Sequence, residues 1–137
     1  MFRHIMVPVD LAHLDALEPA LKVAGEIGKL YGAKLTYVSV TGSQPSSVAH
    51  NPEEFQAKLA EFAAGQKASH GVAEAKAHAI TSHDPAAEID RALEKAVKDT
   101  DADLVVMASH IPKLFDLGSH GGRVASHTSA SVMLVRV

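Results

Sequence analysis

Three short apolar runs, Ile5–Val9, Leu104–Ala108 and Val132–Val137, constrain this chain more than anything else in it. Each is rich in β-branched residues and bounded by turn or polar residues, the pattern of a buried strand. Lys34–Thr41 adds a fourth strand that alternates, with Leu35, Tyr37 and Ser39 against Thr36, Val38 and Val40. Glu74–Thr81 adds a fifth, whose Ala, Lys and His content suits a sheet edge.

Helical periodicity fills the intervals. Asp15–Tyr31 spaces Ala16, Leu17, Ala20, Leu21, Ala24, Ile27 and Leu30 on one stripe. Asp15 and Glu18 resemble a capping box, and Pro19 is then expected within the first turn, where its missing N–H costs little. Pro52–Ser69 repeats the stripe through Phe55, Leu59, Phe62 and Ala63; Pro85–Asp99 does so through Ile89, Leu93 and Val97, behind Asp84. A short last helix is expected over about Ser119–Thr128. Strands alternating with helices imply a parallel sheet built by right-handed crossovers. The expectation is one α/β domain over residues 1–137, an open doubly wound sheet with helices on both faces. Gly42–Asn51 reads as a mobile surface loop.

Composition narrows the function. Hydrophobic residues are 47% of the chain, aromatics 4%, and Trp is absent, so the core is Ala, Val, Leu and Ile. The net charge is −3 with no basic face, which argues against a nucleic-acid groove. With no Cys there are no disulfides, thiolate zinc sites or Cys nucleophiles. The start, Met1 to Pro8, runs straight into a strand without a secretory signal, and no apolar run approaches the roughly 20 residues of a membrane span. A cytoplasmic protein with no membrane insertion is the expectation.

Ligands of open parallel sheets bind beyond the carboxyl ends of the strands, where strand order reverses. Asp10, Val40, Thr41 and Ser109-His110 follow strands there. Neither G-x-G-x-x-G nor G-x-x-x-x-G-K-[ST] occurs, so a dehydrogenase or P-loop enzyme is not expected. The segment from Met107 to Arg123 leaves a strand and enters a helix through Gly118-Ser119-His120-Gly121-Gly122. Accessible amides and the helix dipole there suit a phosphate on Gly118, Ser119 and His120. The competing reading is a plain N-cap.

The opening I-M-V-P-V-D (Ile5–Asp10), the stretch A-D-L-V-V-M-A-S-H-x-P (Ala102–Pro112) and the ending G-S-x(4)-V-x-x-H-x(4)-V-x-L-V-R (Gly118–Arg136) together resemble the universal stress proteins, specifically the small bacterial type with S-H-x-P after the fourth strand. The resemblance implies a five-stranded sheet in the order 3-2-1-4-5, of the nucleotide alpha hydrolase-like kind. It also implies binding of ATP or ADP, with Mg as an accompanying ion. By position, Pro8, Val9 and Asp10 would lie against adenine and ribose, and Val40 would meet the adenine through its backbone. Met107, Ala108 and His110 would line the nucleotide, and Gly118, Ser119 and His120 would hold phosphate. The family dimerises through its last strand, here Ser131–Val137, and some relatives accompany membrane transporters.

The chain departs from the ATP-binding pattern G-x-x-G-x(9)-G-[ST]: Ala108 and Ile111 replace the first two glycines, and the loop to Gly118 is shorter. Ala is tolerable where φ is negative; Ile does not readily adopt a left-handed turn. Three readings therefore stand: a nucleotide-sensing stress or transport regulator, an interaction scaffold of the same fold without ligand, and a slow ATP hydrolase. The nine His residues raise a divalent-metal reading at His13, His83, His110 and His120, against ordinary polar loop residues. His4, His50, His70 and His78 read as surface, and His127 as bonding locally near the end of the last helix.

Overall fold

The computed structural model describes residues 1–109 and 120–137. Along the chain these form β1 (His4–Pro8), α1 (Leu14–Tyr31), β2 (Lys34–Gly42), α2 (Pro52–His70), β3 (Ala75–Ser82), α3 (Pro85–Thr100), β4 (Leu104–Ser109), α4 (His120–His127) and β5 (Ser131–Arg136). The five strands pair in parallel in the order β3-β2-β1-β4-β5. The expected order and helix assignments stand, with most ends shifted by a residue.

The sheet separates two cores. Strand side chains alternate between faces, so Ile5, Val7, Leu35, Tyr37 and Val106 pack with Leu21, Ala24 and Leu59 of α1 and α2. Met6, Val38, Val105 and Met107 pack on the other side with Leu93 and Val97 of α3 and Val124 of α4. Because both faces are covered, β1, β2 and β4 carry almost no exposed side chain until their carboxyl ends.

Asp103 fixes the amino end of this arrangement. Its carboxylate accepts from Arg3 N (2.9 Å) and His4 N (3.1 Å). Its own N–H donates to His4 O, and its carbonyl accepts from Ser131 N. One residue thus joins the entries to β1, β4 and β5.

Several local expectations are corrected. The α1 cap is His13, without a side-chain cap bond, so Asp15 and Glu18 form no capping box. Pro19 lies five residues after Leu14 and inside the helix, where it leaves the Asp15 carbonyl without its helical donor. Leu30 is exposed; the stripe is continued instead by Gly25 and Gly28, which admit neighbours closely. A Cβ on Gly28 would stand 2.4 Å from Leu35 Cδ1, and one on Gly25 would stand 2.4 Å from His70 Cγ. His4 is not a surface residue: it is only 7% exposed, with Nε2 2.6 Å from Thr36 Oγ1. Asn51 and Asp84 cap α2 and α3, each ahead of a proline in the first turn; for α3 this is the expected start.

Candidate functional site at the carboxyl end of the sheet

Strand order reverses between β1 and β4, and their ladder ends early. The last paired residues are Met6 and Val105, although β1 continues to Pro8 and β4 to Ser109. Proline explains it. Val9 N donates to Val38 O at 2.8 Å, so alternation turns Pro8 toward β4, and Pro8 has no hydrogen to give. The two strand ends are therefore left unpaired with each other, which is where a crevice is expected in such a sheet.

The residues there divide by burial. Val9 and Met107 are buried, at 7% and 5% exposure, in the cores on opposite faces of the sheet. Pro8, Val40 and Ala108 are half-buried at the strand ends. Ala108 lies within β4 opposite Val135, and among the described residues Asp101 is the only non-glycine with positive φ. Alanine in place of glycine is therefore accommodated at this position without backbone strain.

Asp10 stands exposed beyond Val9. Its Oδ1 accepts from Ala12 N at 2.9 Å, an Asx turn, and its Oδ2 lies 2.8 Å from His13 Nδ1. The two contacts hold the carboxylate in one orientation. Each oxygen retains a lone pair, so a vicinal diol could donate to both.

His120 opens α4, and its Nδ1 lies 2.5 Å from Asp90 Oδ1 of α3. Phosphate binding by this ring would have to use Nε2. Arg123 Nε is 3.9 Å from Asp90 Oδ2 and 3.7 Å from Glu94 Oε1, while His127 Nδ1 is 3.9 Å from the same Glu94 oxygen. That oxygen is buried without a hydrogen bond, so the Arg123 guanidinium at 3.7 Å is its nearest charge partner among the described residues. His127 Nδ1 also meets Arg123 O at 2.9 Å, the local bond expected of it. His110, Gly118 and Ser119 fall outside the described residues, as does Ile111.

Sequence reasoning passed over Arg136. The β4–β5 register sets it opposite Ser109, and its Nη1 donates to Ser109 Oγ at 3.0 Å. A cation therefore sits where β4 ends. The signal was available: two parallel strands of equal length bring their last residues together.

Polar groups elsewhere serve other ends. At the end of β3, the Ser82 hydroxyl (2.6 Å) and Asp84 N–H hold the Glu88 carboxyl below the usual carboxylate range. A cavity of about 440 Å3 lies at the opposite, amino end of the sheet, lined by Arg3, His4, Lys34, Asp101 and Asp103 among others. Burial, then the Lys34 ammonium, lowers the His4 pKa, against opposing pulls from the Thr100 carbonyl and two aspartates. Its Nδ1 has no well-formed hydrogen bond. This mixed-charge cavity is remote from the carboxyl ends of β1 and β4. Among the described residues, no three His, Asp or Glu side chains converge as metal ligands. No helix among them is long and apolar enough to cross a membrane.

Comparison with known proteins gives a consistent picture. The model of the universal stress protein family matches residues 1–136. No curated protein matches the chain in sequence. Among solved structures, a universal stress protein in complex with cAMP superposes with a TM-score of 0.75 at 19% identity, covering 98% of this chain and 97% of that one. The universal stress protein of Archaeoglobus fulgidus in complex with dAMP gives 0.67 at 19% identity, over 96% of each chain. An Arabidopsis thaliana family protein with AMP bound gives 0.66 at 21% identity, over 98% of this chain and 90% of that one. At these identities the likeness establishes the fold.

Proposed function

The chain belongs to the universal stress protein family, and on that premise we propose that it binds an adenine nucleotide in the crevice between β1 and β4. One observation carries the reading. At the reversal of strand order, where Pro8 ends the ladder, an exposed carboxylate is held in a fixed orientation by Ala12 N and His13. Asp10 would accept the ribose hydroxyls, the half-buried Pro8, Val40 and Ala108 would flank the base, and His120 Nε2 and Arg136 would supply donors toward the phosphates. Solved relatives with cAMP, dAMP and AMP support the adenine nucleotide class. ATP or ADP, with Mg, is the specific form proposed.

The protein acts, in this reading, as a cytoplasmic stress or transport regulator whose occupied state is read by a partner. It dimerises through the Ser131–Val137 strand; exposed Met133 and Val137 on that strand favour this. Slow ATP hydrolysis would show as turnover that survives purification and vanishes in His120→Ala. A ligand-free scaffold is the second reading, favoured by Ile111 and the shortened loop in the sequence.

Titration with AMP, ADP and ATP, followed by calorimetry and thermal denaturation, tests the proposal. At a hundredfold excess over Kd, binding adds about 2.7 kcal/mol to stability, roughly 8 °C for a chain of this size. Asp10→Ala should weaken binding by about tenfold or more, the loss of a charged hydrogen-bond acceptor. No shift with millimolar nucleotide would leave the scaffold.

A further inference from the structure

The two edges of this sheet are not equivalent. In a parallel ladder, alternate residues turn both N–H and C=O to the same side. Leu35 N donates to Glu74 O at 2.9 Å, so Glu74 and Lys76 face β2. Ala75, Ala77, Ala79 and Thr81 then turn their backbone groups outward along β3. Such a row is a template for another extended chain.

Gln56, in the first turns of α2, reaches this row. Its Oε1 accepts from Ala79 N at 3.0 Å and its Nε2 donates to Ala77 O at 3.4 Å. A residue of a sixth parallel strand lying opposite His78 would make the same two bonds, donating to the residue before and accepting from the residue after. The carboxamide carries the donor and acceptor of a peptide unit, so it stands in for one. Its placement is secured by neighbours: Phe55 and Leu59 are buried, and Ala75, Ala77 and Ala79 pack against the same core.

At the opposite edge, Ser131 N donates to Asp103 O, so Val132 and Leu134 turn their backbone groups outward on β5. No side chain among the described residues makes the equivalent pair of bonds to them.

We propose that Gln56 is an edge guard: its carboxamide occupies the donor and acceptor that a sixth strand would use, and so closes β3 to the addition of a second copy of this chain. The guard is independent of nucleotide binding and of whether β5 is paired.

The test compares the intact chain with Gln56→Ala and Gln56→Met, the second retaining side-chain length and apolar contact. Hydrogen exchange should show the Ala79 amide exchanging on the order of tenfold faster or more in both variants, with amides of β1 and β4 unchanged. Light scattering across a concentration series should show assembly beyond the state of the unaltered protein. Unchanged Ala79 exchange and unchanged assembly in folded variants would overturn the proposal. Loss of fold in both variants would overturn it as well, since it would make Gln56 a requirement of folding rather than a guard.

Discussion

Replacing glycine by alanine at two helical positions should move stability in opposite directions, for a reason visible only in three dimensions. Gly25 and Gly65 both lie inside helices, and the lower backbone entropy of alanine favours the change at each by about 1 kcal/mol. At Gly65 nothing lies within 4 Å of the added Cβ, so the full gain should appear. At Gly25 the new carbon would stand 2.4 Å from His70 Cγ, 2.7 Å from His70 Cβ and 2.8 Å from His70 Nδ1. A rotamer change removes the ring but not the Cβ, so α1 and α2 must separate. Overpacking of this kind costs about 1–3 kcal/mol. Displacing the ring also disturbs its 3.1 Å contact with Gln66, worth roughly another 1 kcal/mol. Gly25→Ala should therefore lose about 1–3 kcal/mol net, and the two variants should differ by about 2–4 kcal/mol, or roughly 6–12 °C in Tm. Urea denaturation followed by circular dichroism measures both, and an unchanged m-value keeps the comparison within two-state behaviour. Adding His70→Ala should relieve Gly25→Ala in part, through the ring atoms. If Gly25→Ala proved as stable as Gly65→Ala, the close crossing of α1 and α2 would be refuted.

Other outcomes follow from buried polar groups. His4 has a pKa below its unfolded value of about 6.5, so the unfolded chain binds a proton first as pH falls. Its contribution is intact above about pH 6.5 and is lost as pH drops toward the folded value, by at most about 1.4 kcal/mol per pH unit. His4→Gln should flatten that part of the stability–pH curve; an unchanged slope would mean His4 titrates freely. The Tyr37 hydroxyl is buried without a partner, and burial pushes its pKa upward. Tyr37→Phe keeps the edge-on contact with Phe62 at 5.2 Å and should leave stability equal or raise it by about 1 kcal/mol. A loss exceeding 1 kcal/mol would show that the hydroxyl has a hydrogen-bond partner. Asn51→Ala removes the acceptor for Glu54 N and should cost about 1 kcal/mol in urea denaturation; no loss would mean the cap is redundant.

The architecture was legible because its signals are periodic. Runs such as Ile5–Val9 fit only a strand covered on both sides, and Pro52 and Pro85 marked helix starts through their fixed φ. What stayed hidden depended on contact between distant segments. Nothing near His4 in the sequence announces burial; Thr36, on the next strand, supplies the partner. Leu30 matched the helical stripe, yet α1 turns its glycines inward because α2 and β2 approach that closely. The candidate site was half legible. Asp10 followed from strand-end logic, whereas the engagement of His120 by Asp90 needed the packing of α4 on α3. The role of Pro8 in ending the ladder needed the register with β2.

The Asp103 junction should bear on the timing of folding. The central strand is made first, but the carboxylate that fastens its entry arrives about a hundred residues later, beyond three helices and two other strands. On the ribosome, β1 can pair early with β2 alone, and its second flank waits until nearly the whole chain has emerged. Closing so distant a contact is entropically slow. The late β1–β4 junction should therefore be the step that commits the molecule, and changes at Asp103 should show in refolding rates as well as in final stability.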